Sequence, residues 1–202
     1  MKIKSSNLVA VEHRVSPEHR CEINGHKGAV LWLTGLPGSG KTTLAVELEH
    51  QLFLSRRQVY VLDGDNIRQG LSSDLGFAPS DRSENIRRIG EVAGLFADAG
   101  FIVIAAFISP YKIDRTNLRR KLGNYYNEIY IKADVKTCEE RDPKGHYKLA
   151  RNGRIKGFTG ISAPYEVPRD PELVIDTKTK SIEKCIAKLT QYVDANFVNR
   201  RI

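Results

Sequence analysis

Gly35-Leu36-Pro37-Gly38-Ser39-Gly40-Lys41-Thr42 is the stretch of sequence that decides the fold. It fits the pattern Gly-x4-Gly-Lys-Ser/Thr, in which glycines let the backbone N–H groups converge on phosphate oxygens at the start of a helix. In that pattern the Lys41 ammonium reaches the terminal phosphates and the Thr42 hydroxyl can bind Mg²⁺. The segment therefore predicts a phosphate-binding loop. Alone, it leaves open a kinase, a GTPase, an ATPase motor or a glycine-rich turn with an accidental Lys-Thr pair.

The segments on either side of the loop match the context that the motif requires. Residues 29–34 are a continuous apolar run that predicts a strand buried on both faces, and residues 43–54 repeat leucines at helical spacing. Further apolar runs predict strands at residues 59–62, 102–108, 128–133 and 173–175. Helices are expected over residues 81–99, with a capping box at Glu84, and 182–193. This alternation predicts an α/β fold of the P-loop NTPase type, kinase-like, with a central parallel sheet flanked by helices.

Size and composition predict one domain. The chain has 202 residues, 41% of them hydrophobic, which suffices for one sizeable core. Residues 1–27 lack periodicity and are expected to form an extended N-terminal arm on a single domain of residues 28–202. The three cysteines are far apart, so neither a disulfide framework nor a zinc site is indicated. Apolar runs are strand-sized and the N-terminus has no apolar signal core, so we expect no membrane contact and a cytoplasmic location.

The net charge of +8 is concentrated in one segment. Residues 141–156 contain six lysines and arginines and a single acid, Asp142, and glycines interrupt the segment. This predicts a mobile basic lid over about residues 141–165, although a solvated charged loop is the simpler alternative. A nucleic-acid groove would need interleaved aromatics, and this stretch offers only Tyr147 and Phe158. We therefore expect no nucleic-acid partner.

Asp63-Gly64-Asp65-Asn66 follows the second predicted strand, at the edge of the sheet where the phosphate-binding loop also lies. Asp63 and Asp65 can divide two tasks between them. One carboxylate can organise a metal ion while the other orients or deprotonates an acceptor hydroxyl. The alternative is an ordinary Asp-Gly turn.

Helical spacing places Arg82 and Asn85 on the apolar face of the long helix, where they would point into a cleft. With Arg68 they could bind an anionic acceptor, unless Arg82 forms a structural ion pair with Glu84 or Asp98. Arg87 and Arg88 are expected to face solvent. Two aromatics in polar stretches could flank a flat base or serve as core residues: Phe77 and Phe158.

Several segments together resemble the adenylyl-sulfate kinase family, and the likeness extends over nearly the whole chain. They are GLPGSGKT (35–42), LDGDNIR (62–68), DLGF (74–77), DRSENIRRIGE (81–91), LFADAG (95–100), FISPY (107–111), RDPKG (141–145) and KGFTG (156–160). The family often has serine where Pro37 stands here. It usually has a second lysine where Leu149 stands, so this lid is slightly less basic.

The resemblance implies transfer of the γ-phosphate of ATP to the 3′-hydroxyl of adenylyl sulfate, with Mg²⁺ as cofactor, in a homodimer. It implies adenylyl sulfate contacts, with the adenine between the two phenylalanines, from Asp65, Asn66, Arg68, Phe77, Arg82, Asn85, Ile108, Ser109, Lys144, Gly157 and Phe158. It implies ATP and Mg²⁺ binding by Gly35, Leu36, Pro37, Gly38, Ser39, Gly40, Lys41, Thr42, Thr43, Asp63 and Arg141.

Ser109 is described in this family as a possible phosphorylated intermediate. No neighbouring residue in the sequence could activate its hydroxyl, so we favour direct transfer with Asp65 acting on the acceptor. Three alternatives remain open: a kinase for another small acceptor, a P-loop regulatory switch and a nucleic-acid ATPase. The switch would need a guanine-reading Asn-Lys-x-Asp segment, which the sequence lacks.

Overall fold

The computed structural model describes residues 13–198, together with Asn7, Val9 and Val11. Its sheet has five parallel strands in the order β2-β3-β1-β4-β5. The strands are β1 (Ala29–Thr34), β2 (Val59–Asp63), β3 (Ile102–Ala106), β4 (Tyr126–Lys132) and β5 (Leu173–Asp176). The helices are α1 (Pro17–Asn24), α2 (Lys41–Leu54), α3 (Gly64–Gln69), α4 (Pro79–Asp98), α5 (Lys112–Leu122), α6 (Val135–Arg141), α7 (His146–Arg151) and α8 (Ile182–Asn196). The prediction of an α/β fold with a parallel sheet is confirmed.

Strand β1 shows why the sheet lies between two helical layers. All six of its residues are buried, and successive side chains point to opposite faces. Leu31 and Leu33 join a core formed with α2 and α8. Trp32 joins a second core formed with α4 and α5. The parallel pairing places the carboxyl ends of all five strands along one edge of the sheet. Among the described residues, no helix is long and apolar enough to cross a membrane.

Several boundaries differ from the sequence-based expectations. The segment expected as a turn after β2 is a short helix, because the Asp63 side chain accepts a hydrogen bond from Asp65 N and caps α3. Helix α4 begins at Pro79, and its N-cap residue Ala78 makes no side-chain bond. The capping box expected at Glu84 is wrong, because that carboxylate pairs with arginines one turn further along α4. Strand β3 ends at Ala106, two residues earlier than expected.

The N-terminal arm is not extended throughout, because part of it is helical. Residues 17–24 form α1, which begins at a capping box between Ser16 and His19 and ends at Gly25 with φ of 67°. The Ser16-Pro17 pair is a sequence signal for this helix start. Residues 1–6, 8, 10 and 12 of the expected arm lie outside the described residues.

His26 joins the end of this arm to the sheet and is fully buried. Its Nε2 accepts a hydrogen bond of 3.1 Å from Gln58 N. Its Nδ1 lies 3.1 Å from Lys27 O, and because a carbonyl oxygen only accepts, Nδ1 carries the hydrogen and donates it. These two contacts require the neutral ring. Burial lowers the pKa of His26, an effect that the Lys27 carbonyl partly opposes.

We expect this histidine to make the protein less stable in mild acid. Because the pKa is lowered in the folded state, the unfolded chain binds the extra proton, and the free energy of unfolding falls as pH drops through about 6.5. Urea unfolding from pH 8 to pH 5 should show this slope in the wild type and a weaker slope in His26→Gln. The exposed His50 provides the control variant His50→Gln. Equal slopes in all three proteins would contradict the assignment.

Candidate active site

The residues expected to carry chemistry meet at the carboxyl edge of the sheet. The phosphate-binding loop leaves β1, Asp63 ends β2, and Ser109 lies just after β3. Parallel strands put these three segments side by side, as ligand sites in open α/β sheets require. The sheet order therefore brings together side chains that are far apart in the sequence.

The loop of residues 35–42 has the backbone that its glycines predict. Gly38 and Gly40 have φ angles of 73° and 95°, which residues with side chains rarely adopt. A Cβ atom at Gly38 would also lie 2.9 Å from the carbonyl oxygen of Cys138 on α6. The loop is thus packed against α6, and Lys41 begins α2 directly after it.

The Lys41 side chain lies inside this loop. Its Nζ donates hydrogen bonds to Gly35 O at 2.9 Å, to Leu36 O at 2.8 Å and to Ser39 Oγ at 3.4 Å. The residue is only 8% exposed, and burial lowers the pKa of its ammonium to about 8. Phosphate oxygens placed beside this cation would compensate for its lost hydration.

Thr42 and Asp63 form the pair expected at a magnesium ion. Thr42 Oγ1 donates a 2.9 Å hydrogen bond to Asp63 Oδ2. Hydroxyl and carboxylate oxygens suit Mg²⁺, which in such sites also binds substrate phosphates. The residues present therefore fit Mg²⁺ that arrives with a nucleotide.

Arg141 lies on the other side of the same loop. Its guanidinium donates to Thr177 O at 2.5 Å and to Thr177 Oγ1 at 3.3 Å, and it lies 3.5 Å from Gly38 O. Thr177 Oγ1 in turn donates to Ser39 O at 2.9 Å. Arg141 is thus close to the loop, as its expected nucleotide contact requires. Thr43 is exposed one residue after Thr42.

Asp65 and Arg68 project from α3 on the acceptor side. Asp65 forms an exposed ion pair with Lys144 of the lid. Arg68 Nη1 donates to Leu75 O at 3.2 Å and to Gly76 O at 2.9 Å, and its guanidinium lies 4.4 Å from the ring centroid of Phe77. Phe77 is 70% exposed, so its ring is not a core residue. Asn66 is exposed on the same helix.

Arg82 and Asn85 lie on α4, and Arg82 contacts Phe77. Arg82 donates to Phe77 O at 2.9 Å, to Thr159 Oγ1 at 2.9 Å and to Gly157 O at 2.7 Å. None of these partners is a carboxylate, so the alternative of an ion pair with Glu84 or Asp98 is wrong. Asn85 is 4% exposed, and its Oδ1 has no hydrogen-bond partner among the described residues. Such a buried acceptor needs a donor, which a bound ligand could supply.

The two arginines that follow on α4 are not simply solvated. Arg87 pairs with Glu84 and Glu91, and Arg88 pairs with Glu84 and with Asp74. Arg88 thereby fastens the loop before α4 to the helix, whereas both partners of Arg87 lie on α4 itself. Both side chains remain partly exposed, 41% for Arg87 and 26% for Arg88, so they lie on the outer side of α4 as expected, but in ion pairs.

The lid contains a helix, α7, which the sequence analysis did not predict. Phe158 is 9% exposed and lies in a core with Leu36, Cys138 and Tyr147, and its ring meets the Tyr147 ring edge-on with centroids 4.9 Å apart. Phe158 is therefore largely a core residue, whereas Phe77 is open to a ligand. Whether the lid moves stays a prediction.

Ser109 is already engaged by the protein. It is 2% exposed, its Oγ accepts a 3.0 Å hydrogen bond from Trp32 Nε1, and its φ is 38°. Its carbonyl oxygen accepts from Arg115 Nη1 at 2.6 Å. The preceding carbonyl, of Ile108, accepts from Thr34 Oγ1 at 2.7 Å. Trp32, Arg115 and Thr34 were missed by sequence reasoning, since no local pattern marks them.

The chain is similar to known proteins of one family over most of its length. The family model described as Adenylylsulphate kinase matches residues 27–176. The chain is 53% identical to an adenylyl-sulfate kinase of Staphylococcus carnosus, over 95% of this chain and 97% of that protein. It is 52% identical to an adenylyl-sulfate kinase of Clostridium acetobutylicum, over 94% and 95%.

A solved structure of the Mycobacterium tuberculosis APS kinase CysC in complex with AMPPNP and APS has the same fold, with a TM-score of 0.79. It is 40% identical and covers 83% of this chain and 98% of that one. The matched family model spans the phosphate-binding loop, the acceptor-side residues and the lid. The chain belongs to the adenylylsulphate kinase family.

Proposed function

We propose that this protein transfers the γ-phosphate of ATP to the 3′-hydroxyl of adenylyl sulfate, giving 3′-phosphoadenylyl sulfate and ADP. The observation that carries the proposal is the arrangement at the carboxyl edge. Thr42 of the phosphate-binding loop donates to Asp63, which caps the helix that carries Asp65. Asn85 of α4 keeps a buried oxygen with no hydrogen-bond partner among the described residues. Belonging to a family of ATP-dependent phosphotransferases supports it, as does the APS bound in the mycobacterial relative.

On the nucleotide side, the N–H groups of residues 35–42 bind the phosphates of ATP, and Arg141 lies beside them. Lys41 stabilises the charge that builds on the transferred phosphoryl group. Thr42 and Asp63 would hold Mg²⁺, which neutralises charge on the β- and γ-phosphates when it is bound. Asp63 also caps α3 and so fixes the start of the helix that carries Asp65.

On the acceptor side, Arg68, Arg82 and Lys144 supply positive charge for the phosphosulfate, and Asn85 supplies a polar contact. The exposed face of Phe77 stacks on the adenine, with Phe158 on the other side of the base. Ile108, Ser109 and Gly157 line the same site. Asp65 accepts or orients the proton of the 3′-hydroxyl, so that transfer is direct and in line.

We also propose that the enzyme is a cytoplasmic homodimer. Cys138 and Cys185 are buried thiols outside disulfides, as a reducing compartment would keep them. Sedimentation equilibrium measures the dimer directly, and a monomer at micromolar concentration would exclude it.

The assay that tests the activity is ADP release from ATP and Mg²⁺, with and without adenylyl sulfate. We expect release to depend on adenylyl sulfate. ADP release that ignores it, or that responds equally to a sugar acid or a nucleoside monophosphate, would refute the proposed acceptor.

Phe77→Ala should weaken the binding of adenylyl sulfate far more than the binding of ATP. Stacking of one base on an aromatic ring contributes about 1–3 kcal/mol, so the KM for adenylyl sulfate should rise roughly 5- to 150-fold. Phe53 provides a matched control, since it is 68% exposed on α2 and Phe53→Ala should change neither KM. Equal weakening of both substrates would show that Phe77 acts through the fold instead.

A further inference from the structure

Tyr147 of the lid helix α7 contacts the phosphate-binding loop directly. Its side chain is 1% exposed, and its hydroxyl donates a 2.9 Å hydrogen bond to Pro37 O. Pro37 has no N–H group, so this carbonyl is the whole of its backbone hydrogen-bonding capacity. The lid is thus tied to the loop at a residue where the family often has serine.

The contact determines the direction of a neighbouring N–H group. The described chain contains no cis peptide bond, so the Gly38 N–H points opposite to the Pro37 carbonyl across one planar unit. Holding the carbonyl against Tyr147 Oη therefore holds the Gly38 N–H at a fixed angle. Gly38 lies in the part of the loop whose N–H groups converge on phosphate oxygens.

The ring of the same tyrosine packs against the acceptor side. It meets Phe158 edge-on at 4.9 Å and an angle of 78°. Arg82 donates to both residues that flank Phe158, namely to Gly157 O and to Thr159 Oγ1. One buried side chain therefore contacts both the loop that cradles ATP and the lid segment held by an acceptor-side arginine.

We propose that Tyr147 is a positioning residue that couples occupancy of the acceptor pocket to the geometry of the phosphate-binding loop. A ligand bound at Arg82 fixes the segment of residues 157–159 to which that arginine donates, and Phe158 of this segment packs on the tyrosine ring. The tyrosine in turn holds the Pro37–Gly38 peptide for phosphate binding. Each ligand then tightens the binding of the other, as linkage requires. The inference rests on the proposed function, because it takes adenylyl sulfate as the second ligand.

Calorimetric titration of the full chain with AMPPNP, with and without saturating adenylyl sulfate, tests the coupling. In the wild type we expect adenylyl sulfate to lower the Kd for AMPPNP about 5-fold or more, which is the lower end of ordinary coupling between sites. Tyr147→Phe keeps the ring and loses only the hydroxyl. Without adenylyl sulfate, this variant should bind AMPPNP about 2- to 10-fold more weakly, the range of one hydrogen bond. Adenylyl sulfate should then lower its Kd for AMPPNP by less than about 2-fold.

Tyr192→Phe is the matched control, because Tyr192 donates a 2.8 Å hydrogen bond to Asn127 near the other end of β4. It should lower the melting temperature about as much as Tyr147→Phe while keeping the wild-type coupling. The inference is overturned if adenylyl sulfate tightens AMPPNP binding as much in Tyr147→Phe as in the wild type. It is also overturned if adenylyl sulfate does not tighten AMPPNP binding in the wild type. Wild-type ADP release that is independent of adenylyl sulfate would instead refute the proposed function, so the two failures are distinguishable.

Discussion

Lys41→Ala is expected to abolish phosphoryl transfer while the protein still folds. The variant removes the side-chain cation that lies in the phosphate-binding loop and that stabilises charge on the transferred group. Cations in this role contribute about 10³-fold or more to turnover. The fold should survive, because the buried ammonium is itself costly and its pKa is lowered to about 8.

ADP release and a thermal melt measure the two effects separately. Lys178→Ala is the control, since Lys178 is an exposed lysine paired with Asp134 of the α6 N-cap. It should keep near-normal turnover. Near-normal turnover of Lys41→Ala would exclude the loop as the ATP site, whereas a collapsed melt would show that the lysine is needed for the fold.

The second large effect separates two routes of transfer. Asp65→Asn should cut turnover roughly 10²-fold or more, the range expected for a lost general base. Its structural cost should be small, because Asp65 and Lys144 are both more than half exposed and such pairs contribute little to stability. A drop in turnover without a drop in melting temperature would therefore report on the reaction.

Ser109→Ala should behave in the opposite way. Its hydroxyl is the acceptor for the buried Trp32 N–H, so its loss leaves an unpaired donor and costs about 1–3 kcal/mol of stability. Turnover should remain mostly intact, because direct transfer does not use this oxygen. Radiolabelled phosphate that appears on Ser109 and passes into product at the rate of turnover would overturn the direct route.

Local sequence patterns predicted the parts of the site that depend on neighbours in the chain. The glycine spacing of residues 35–42 gave the loop, and helical periodicity placed Arg82 and Asn85 on one face of α4. The lid contacts could not be found in this way. Arg82 meets Thr159, and Tyr147 meets Pro37, across 77 and 110 residues of sequence.

The differences in secondary structure have a similar cause. Helix α1 has no buried residue and no apolar stripe, so only its cap could have revealed it. The segment after β2 became a helix because one carboxylate caps it, a choice between turn and helix that composition leaves open. Phe158 is buried by Tyr147 and Leu36, neither of which its own neighbourhood in the sequence indicates.

The strand order has a consequence for how the chain is made. Strand β1 leaves the ribosome first, yet Ala29 pairs with Ile102 and Val30 with Tyr126. Its six apolar or near-apolar residues must therefore wait, unpaired, until more than half of the chain has been synthesised. Non-local parallel pairing of this kind folds slowly and exposes hydrophobic segments to aggregation. During translation, β1 is thus a hydrophobic segment that stays without strand partners until β3 has been synthesised.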